Sequence, residues 1–472
     1  MDVLLVTVDS LRYDAIFEGT DPASATVRPG LDAIRSLVDG GTAFTQAFSN
    51  AAYTAQSFRS ILGGTYPWMY GSEPKGFQAD RPHLAEELQA AGYLTAGFHS
   101  NPHLTPLFGY DRGFDYFTGR EEGSEESRFQ RIQTGIRRVV PEDSRTFRGI
   151  EWTYKTVGAR LGVQLGGMPY VPGERLTDQV LEWVRSTGGG RPRFAWVHYM
   201  DAHNPYYPHP GTGFPGEDVS EREAIRLFHT FTKEPERGTA ADVETLRRLY
   251  EGEVRYLDRC LGDLVAGLAS AGMDLSETLV VFASDHGDGF GEHGVFFHPG
   301  YLYDELVHVP LVVAGPGFGP GVADVPVTNA DLLPTVLSAA GGHVPDACVG
   351  TDLLPLVAAP PAAGERLVFA HAQSQETGKA TVTDGRWKLI RDLADGSEGL
   401  FDRHGDPDET ANRVDDARDG RLPDDRNVYG RLREALDDHV DAMRAHDGDG
   451  AEMRIDVPDD VQQRLRQLGY QE

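Results

Sequence analysis

Three short segments of the 472-residue chain carry residues whose types and spacing could do chemistry. The apolar run VLLVTV near the start is followed by Asp9, in TVDSLRYD, and the run TLVVFAS is followed by Asp285 and His286, in SDHGDGFGEHG. In doubly wound sheets ligands bind just beyond the carboxyl ends of the strands, so two carboxylates and an imidazole would meet at one edge if those strands are parallel. Such a trio is a sensible shell for a divalent cation. Singly, an aspartate after a strand is more often a turn or capping residue; the coincidence of two such strand ends favours a site.

The third segment is SNAAYTAQSFRSILGGTYP, in which Thr54 precedes a short helical turn ending at Gly63 and Gly64. Threonine is a common helix N-cap and glycine a common terminator, so a structural account is available. The same geometry has a chemical use: a hydroxyl at a helix N-terminus and on a cation has its alkoxide stabilised, and the helix end helps hold an incoming anion. Arg59, one turn beyond, could reach that anion, although arginine is also a routine surface residue here, with 39 Arg against 5 Lys. GDGFG at 287–291 superficially resembles a dinucleotide loop, but Asp288 and Glu292 would repel a pyrophosphate, and that reading is discarded.

The elements that must position these residues follow from periodicity. Apolar runs at 3–8, 43–48, 94–98, 193–199, 278–283 and 311–314 read as buried strands, and apolar residues at three- and four-residue spacing predict helices at 30–38, 82–91, 174–186 and 243–270. Runs apolar on both faces are central strands covered by helices on each side, so the expected fold is an α/β sandwich with a large, mostly parallel central sheet. Residues 119–173, rich in Arg and Glu, and the polar stretch 211–239 read as surface insertions that shape substrate access. From about 356 the pattern changes to short strand-like pieces (LVFAHA, KATVTD, RWKLIRD, GLFD) and then a helix near 426–443, predicting a catalytic domain over 1–355 and a small α+β subdomain over 356–472 with a mobile acidic tail.

Composition narrows the partners. With 73 Asp+Glu against 44 Lys+Arg the net charge is -29, a field that repels phosphate backbones and anionic headgroups, so nucleic acid and a membrane surface are excluded as main partners. At 40% hydrophobic and 10% aromatic residues the chain can still bury a sizeable core. Cys260 and Cys348 are the only cysteines and no CxxC occurs, so neither a disulfide framework nor a thiolate metal site is indicated. No apolar run reaches the roughly 18–20 residues that span a bilayer, and the first apolar stretch is too short for a signal peptide core, so the expected location is cytoplasmic.

TVDSLRYD, the segment ending GGTYP, LAEELQAAGYLTAGF, VRYLDRCLGDLVAGL, TLVVFASDHGDGFGEHG, HVPLVVAGPG, DGRWKLI and LFDRHGDPDETAN follow one another in an order and spacing similar to those of sulfatases. The chain resembles the sulfatase-like branch of the alkaline phosphatase superfamily over roughly residues 1–412. The resemblance implies an alkaline-phosphatase-like sandwich and a metal-dependent ester hydrolase. It also exposes departures. Sulfatases carry a Cys or Ser in a C/S-x-P/A-x-R segment that becomes formylglycine; that position falls on Thr54, which cannot become that aldehyde. The usual Asp-Asp pair after the first strand is reduced to Asp9-Ser10, removing a hard ligand of the calcium site typical of the family. With a His286 nitrogen in the shell, zinc or manganese is favoured over calcium or magnesium, as one or two ions.

A threonine with Asp9, Asp285 and His286 around a metal resembles the phosphotransferase and phosphodiesterase relatives, such as lipoteichoic acid synthases and phosphoethanolamine transferases. HYMDAHNPYYP and GEHGVFFHPGYLY resemble their histidine segments, which places catalytic or second-metal roles on His203 and His298. Asn101 and His103, in GFHSNPHL, stand where sulfatases carry a substrate-binding Lys and His. Lys388 matches an RYK-like segment, with a fold-stabilising role as open as a substrate-binding one.

The implied metal set is thus Asp9, Thr54, Asp285 and His286, and the implied function is hydrolysis or transfer of a phosphate ester through Thr54, on an anionic small-molecule, glycan or lipid-linked substrate. Two alternatives stay open: a sulfuric ester hydrolase without formylglycine, and a pseudoenzyme that binds anionic glycans. The Arg-over-Lys, acidic surface predicts a protein adapted to concentrated salt, because dense carboxylates self-repel until counterions screen them. Thermal melts across a salt series are expected to lose stability at low salt; a flat profile would remove this assignment.

Overall fold

The computed structural model describes residues 1–19, 25–71, 76–118, 170–188, 190–375, 377–422, 427–446, 461–462 and 467–468. The apolar runs form one sheet of eight strands: β1 (Asp2–Val8), β2 (Gly41–Phe44), β3 (Leu94–Phe98), β4 (Tyr116–Thr118), β5 (Arg193–Tyr199), β6 (Thr278–Ser284), β7 (Leu311–Ala314) and β8 (Gly321–Ala323). Their spatial order is β8-β2-β7-β6-β1-β5-β3-β4. Strand β7 runs antiparallel to β6 and β2, and every other pairing in the sheet is parallel. The predicted α/β sandwich is therefore the observed one. The 43–48 run is divided: Ala43 and Phe44 end β2, whereas Ala47–Phe48 pairs with Val327–Thr328 in a separate two-stranded ladder.

The two-sided burial expected of central strands is read directly from alternation. Val3 and Leu5 of β1 enter the core on one face, Leu4, Val6 and Val8 that on the other; Leu279, Val281 and Val280, Phe282 of β6 divide in the same way. Each such side chain taken fully from water contributes roughly 1.5–3 kcal/mol, and the sum over both faces fixes the sheet between its helical layers. One layer holds α1 (Asp32–Gly40), α4 (Gly173–Ser186), α5 (Glu221–Lys233) and α6 (Ala240–Ala271); the other holds α2 (Thr54–Gly63), α3 (Leu84–Ala90) and α7 (Leu332–Ala340). The long helix α6 begins where Thr239 and Asp242 cap each other reciprocally and ends at Gly272, whose φ of 94° a side chain would resist.

Helix α5 corrects the reading of 211–239 as a polar insertion. Ala224, Leu227, Phe228 and Phe231 recur at helical spacing and are buried, a stripe diluted in the sequence by the charged residues of the opposite face. Most of the other proposed insertion, 119–173, lies outside the described residues, as does most of the tail beyond 446. The C-terminal pieces form an antiparallel sheet, β9 (Val368–Ala372), β10 (Lys379–Thr383), β11 (Trp387–Asp392) and β12 (Glu398–Asp402), covered by α8 (Val428–Arg444). Val382, Leu389 and Leu400 of this sheet and Leu432 and Leu436 of α8 belong to the same core cluster as Val3 and Leu5, so the C-terminal sheet packs continuously onto one face of the main one.

Helix α3 has a histidine where a Ser or Asp usually caps. His83 Nδ1 accepts from Ala85 N at 3.3 Å, and its fully buried ring packs edge-on to Phe77. Burial, aided by the charge of Arg112, pushes its imidazolium down from 6.5 to about 3. The unfolded chain takes up that proton first, so His83 contributes stability that is complete above pH 6.5 and is lost as pH falls, at up to about 1.4 kcal/mol per pH unit. His83→Asn keeps a capping acceptor that does not titrate in this window. Its urea-unfolding free energy is expected to decline less steeply than the parent's between about pH 6.5 and pH 5, whatever its absolute level; equal slopes would contradict the neutral cap.

Candidate active site

Strands β6, β1, β5 and β3 are parallel neighbours, so their carboxyl ends open onto one edge. That edge receives Asp285 and His286 after β6, Asp9 after β1, His198 near the end of β5, and Asn101 after β3. Asp9, Asp285 and His286 are fully buried, and one ligand atom from each lies within 4.8 Å of the others. His286 Nε2 stands 3.7 Å from Asp9 Oδ1 and 3.7 Å from Asp285 Oδ2. Thr54 closes the group: its Oγ1 donates to Asp9 Oδ2 at 3.3 Å and lies 3.3 Å from His286 Nε2. Thr54 is the first residue of α2, with Tyr53 before it as the cap, and no side chain caps this helix. The hydroxyl is thus turned to the carboxylate and imidazole rather than to its own helix.

Local backbone explains how the ligands are aimed. Ser10 adopts φ 59°, a left-handed conformation that L-residues resist, and this turns its N–H to Asp285 Oδ1 at 3.2 Å and its Oγ to Asp9 Oδ1 at 3.0 Å. The residue that replaces the family's second aspartate therefore ties the two carboxylates together. Gly287 is required because a Cβ there would lie 2.0 Å from the Glu305 carbonyl oxygen, while its N–H donates to Leu306 O at 2.8 Å. The Gly287 carbonyl in turn accepts from His286 Nδ1 at 2.8 Å, which leaves the Nε2 lone pair facing Asp9 and Asp285.

Around this centre stand the histidines. His203 donates through Nδ1 to Asn204 O and brings Nε2 to 4.0 Å from Asp9 Oδ1. His298 Nδ1 is 3.1 Å from Asp288 Oδ1, and its ring centroid is 4.7 Å from that of His286 and 5.0 Å from that of His203. Burial is the main cause that pushes His203 and His103 down to about 4 and His298 down to about 3, so all three are neutral imidazoles near neutral pH. Burial also raises Asp288 to about 6, against the hydrogen bond from Tyr206. Burial and then the charge of Asp9 push Asp285 well above the usual carboxylate range.

These residues fit a divalent cation. Asp285 Oδ2 is buried with no hydrogen-bond partner among the described residues, and no Lys or Arg described pairs with Asp9 or Asp285. Two buried carboxylate oxygens, an imidazole nitrogen and a hydroxyl are a donor set that attracts a cation and is costly to leave without one.

Of the residues singled out from sequence, Asp9, Thr54, Asp285, His286, His203 and His298 converge here. Asn101 Nδ2 donates to Asp9 Oδ2 at 2.8 Å, and Asp9, His203 and His298 all act electrostatically on half-buried His103. Two candidates are not brought in. Arg59 is buried, but its guanidinium lies over the Tyr70 ring at 4.7 Å and donates to Pro67 O. Lys388 is buried between Asp304 and Glu409, at 2.8 and 3.0 Å, with both of its ion pairs outside the Asp9–Asp285–His286 group.

Sequence reasoning missed His198, whose Nε2 lies 3.3 Å from Asp9 Oδ2 and whose Nδ1 lies 3.0 Å from Thr7 Oγ1. The signal was there: a histidine directly after the apolar run FAWV, next to the carboxyl end of the strand. It also missed the role of Asp288 in orienting His298, and the ring of Ser49, Ser57 and Asn329 donors on the Asp285 carbonyl.

Comparison with known proteins identifies the family and agrees with the fold. The sulfatase family domain matches residues 1–342, and the C-terminal domain of N-sulphoglucosamine sulphohydrolase matches 291–437. The chain is 26% identical over 452 residues to the choline-sulfatase of Rhizobium meliloti (strain 1021), covering 88% of this chain and 83% of that one, and 25% identical over 448 residues to human (Homo sapiens) arylsulfatase K, covering 87% and 78%. Among solved structures, the phosphonate monoester hydrolase of Silicibacter pomeroyi superposes with a TM-score of 0.66 at 22% identity, covering 94% of this chain and 95% of that one. A putative sulfatase from Bacteroides thetaiotaomicron VPI-5482 gives 0.66 at 18% identity, covering 98% and 96%. The chain belongs to the sulfatase family of the alkaline phosphatase superfamily and is a hydrolase of sulfate or phosphate esters.

Proposed function

We propose that the protein is a metal-dependent phosphoester hydrolase or phosphoryl-group transferase whose nucleophile is Thr54. The observation that carries this reading is the Thr54 hydroxyl at 3.3 Å from both Asp9 and His286, at the uncapped start of α2. A threonine bears a methyl group on Cβ and cannot be oxidised to formylglycine, so the hydroxyl itself must attack. In this reading residues 1–355 form the catalytic domain and 356–472 the small C-terminal subdomain.

Asp9, Asp285, His286 and Thr54 would hold the cation, zinc or manganese by its mixed oxygen and nitrogen donors. When bound, it lowers the pKa of the Thr54 hydroxyl and neutralises charge on a non-bridging oxygen of the ester. Thr54 Oγ1 attacks phosphorus in line as the bond to the leaving alkoxide breaks, its proton passing to an Nε2 lone pair of His203 or His298 and from there to the leaving oxygen. The α2 N-terminus faces the developing negative charge with backbone N–H groups. His203 and His298 are oriented through Nδ1 by Asn204 O and by Asp288 respectively, which leaves Nε2 of each neutral ring as the proton acceptor. Water or an acceptor hydroxyl then cleaves the Thr54–phosphorus bond and restores the hydroxyl. The phosphonate monoester hydrolase among the structural neighbours supports phosphorus as the reacting centre. A sulfate ester is the second reading, supported by the choline-sulfatase and arylsulfatase K relatives.

Turnover of matched aryl phosphate, aryl phosphodiester and aryl sulfate esters separates the two; sulfate turnover above both phosphorus substrates would overturn the preference. Thr54→Ala is expected to lower kcat on the order of a thousandfold or more while the metal stays bound, and Thr54→Ser to retain part of the rate. A Thr54→Ala enzyme at parental rate would remove Thr54 as nucleophile. Asp285→Asn keeps an acceptor for the Ser10 and His286 amides and removes a carboxyl whose charged form is disfavoured beside Asp9, so the metal-free melting temperature should hold or rise. Its further rise on adding zinc or manganese should disappear, because binding to the folded state alone stabilises by about 2.7 kcal/mol at a hundred times Kd. An undiminished metal-induced rise would place the cation elsewhere.

A further inference from the structure

Lys388 stands apart from the catalytic cluster, yet its surroundings lead back to it in three contacts. It is one of five lysines in the chain and its side chain is 1% exposed. Its ammonium lies 2.8 Å from Asp304 Oδ1 and 3.0 Å from Glu409 Oε1. Arg403 Nε donates to the other oxygen of Asp304, and Glu409 Oε2 accepts from the Asp304 backbone N–H at 2.7 Å. Two cations, Lys388 and Arg403, and one carboxylate, Glu409, are thus closed around Asp304 at both its side chain and its amide.

Asp304 opens the helical turn Asp304–Val307. Leu306 O accepts from Gly287 N at 2.8 Å, and Val307 O accepts from Ser49 N at 2.8 Å. Gly287 adjoins His286 and takes its Nδ1 hydrogen bond at 2.8 Å. Ser49, five residues before Thr54, donates through Oγ to the Asp285 carbonyl. One short turn therefore carries the backbone that aims His286 on one side and, on the other, the segment that leads into the nucleophile. The same subdomain meets that segment again where His371 N donates to Asn50 O at 2.9 Å.

We propose that Lys388 is a positioning residue for the metal centre: by holding Asp304 it sets the Asp304–Val307 turn, and through the Gly287–Leu306 and Ser49–Val307 hydrogen bonds it sets the 285–287 ligand turn and the approach to Thr54. This rests on the reading of Asp285 and His286 as metal ligands. Residues that orient ligands from behind typically change metal affinity or rate by 10–100-fold when removed. A mere staple between sheets would lower the melting temperature and leave the site's geometry alone.

The test uses the full chain as Lys388→Met, Lys388→Arg and Asp304→Asn, the last keeping the shape and backbone of the turn should Lys388→Met fail to fold. Hydrogen exchange read by mass spectrometry on peptides spanning 285–290 and 47–52 needs no metal and no substrate. Both peptides are expected to exchange faster in Lys388→Met and Asp304→Asn than in the parent, with β5 peptides unchanged and Lys388→Arg intermediate. In the same proteins, zinc affinity by chelator competition is expected to weaken about 10–100-fold, with kcat falling more than KM rises. Unchanged exchange at 285–290 and 47–52 in folded variants, with only the melting temperature lowered, overturns the proposal. If exchange changes but the parent itself binds no zinc or manganese, the ligand reading fails while the mechanical link stands.

Discussion

Asp9 and Asp285 are buried beside each other at the ends of two adjacent parallel strands, and most of the site is arranged around that repulsion. Two unit charges less than 5 Å apart repel by about 4 kcal/mol at an effective dielectric near 20, more where water is excluded. The chain tolerates the pair by surrounding it with donors: Asn101 Nδ2 and Thr54 Oγ1 on Asp9, and the Ser10 and His286 amides on Asp285. One Asp285 oxygen still lacks a partner among the described residues. A cation would complete what these donors begin, and in the proposed function metal affinity and ester chemistry share that one origin.

The sandwich makes this arrangement affordable to the fold. The strand ends are fixed by two apolar faces, and residues at those ends inherit that rigidity at no further cost in ordering. Helix α2 contributes both a hydroxyl and a helix end because its first residue, not its cap, is Thr54. The C-terminal sheet shares the core of one face, and its buried ions grip Asp304, whose turn lies against the ligand-bearing loop. In the function proposed above, membership of the sulfatase family and a nucleophile other than formylglycine are compatible for this reason: the scaffold would fix where an anionic ester meets a cation, and the residue at the start of α2 would decide what attacks it.

A net charge of -29 opposes any anionic substrate at long range. At molar ionic strength the Debye length is roughly 3 Å, so the global field vanishes beyond the first layer while a cation, neutral imidazoles and a helix end act at contact distance. Surface and site can therefore carry opposite demands: the surface answers to the solvent, the site to a handful of residues excluded from it.

How much could be read in advance depended on how local the cause was. Asp9, Asp285 and His286 were legible because they stand at the ends of apolar runs, whereas the parallel pairing of β1 with β6 that brings them together was a condition of that reading, met in the structure. Thr54 was legible as a helix start, though its hydroxyl was equally readable as a cap until the fold turned it toward Asp9. His203, His298, Asn101 and His103 were legible by resemblance to a family. His198 was hidden inside a strand, α5 behind the charges of its outer face, and the partners of Arg59 and Lys388 lie on other elements. By itself the sequence determined which residue types stand at strand ends, because backbone periodicity and burial are encoded within a few neighbours. Only the tertiary structure decided which of sixteen histidines gather around Asp9 and that Lys388 packs on Asp304, because those partners are separated by up to about 280 residues and meet only once both faces of the sheet are buried.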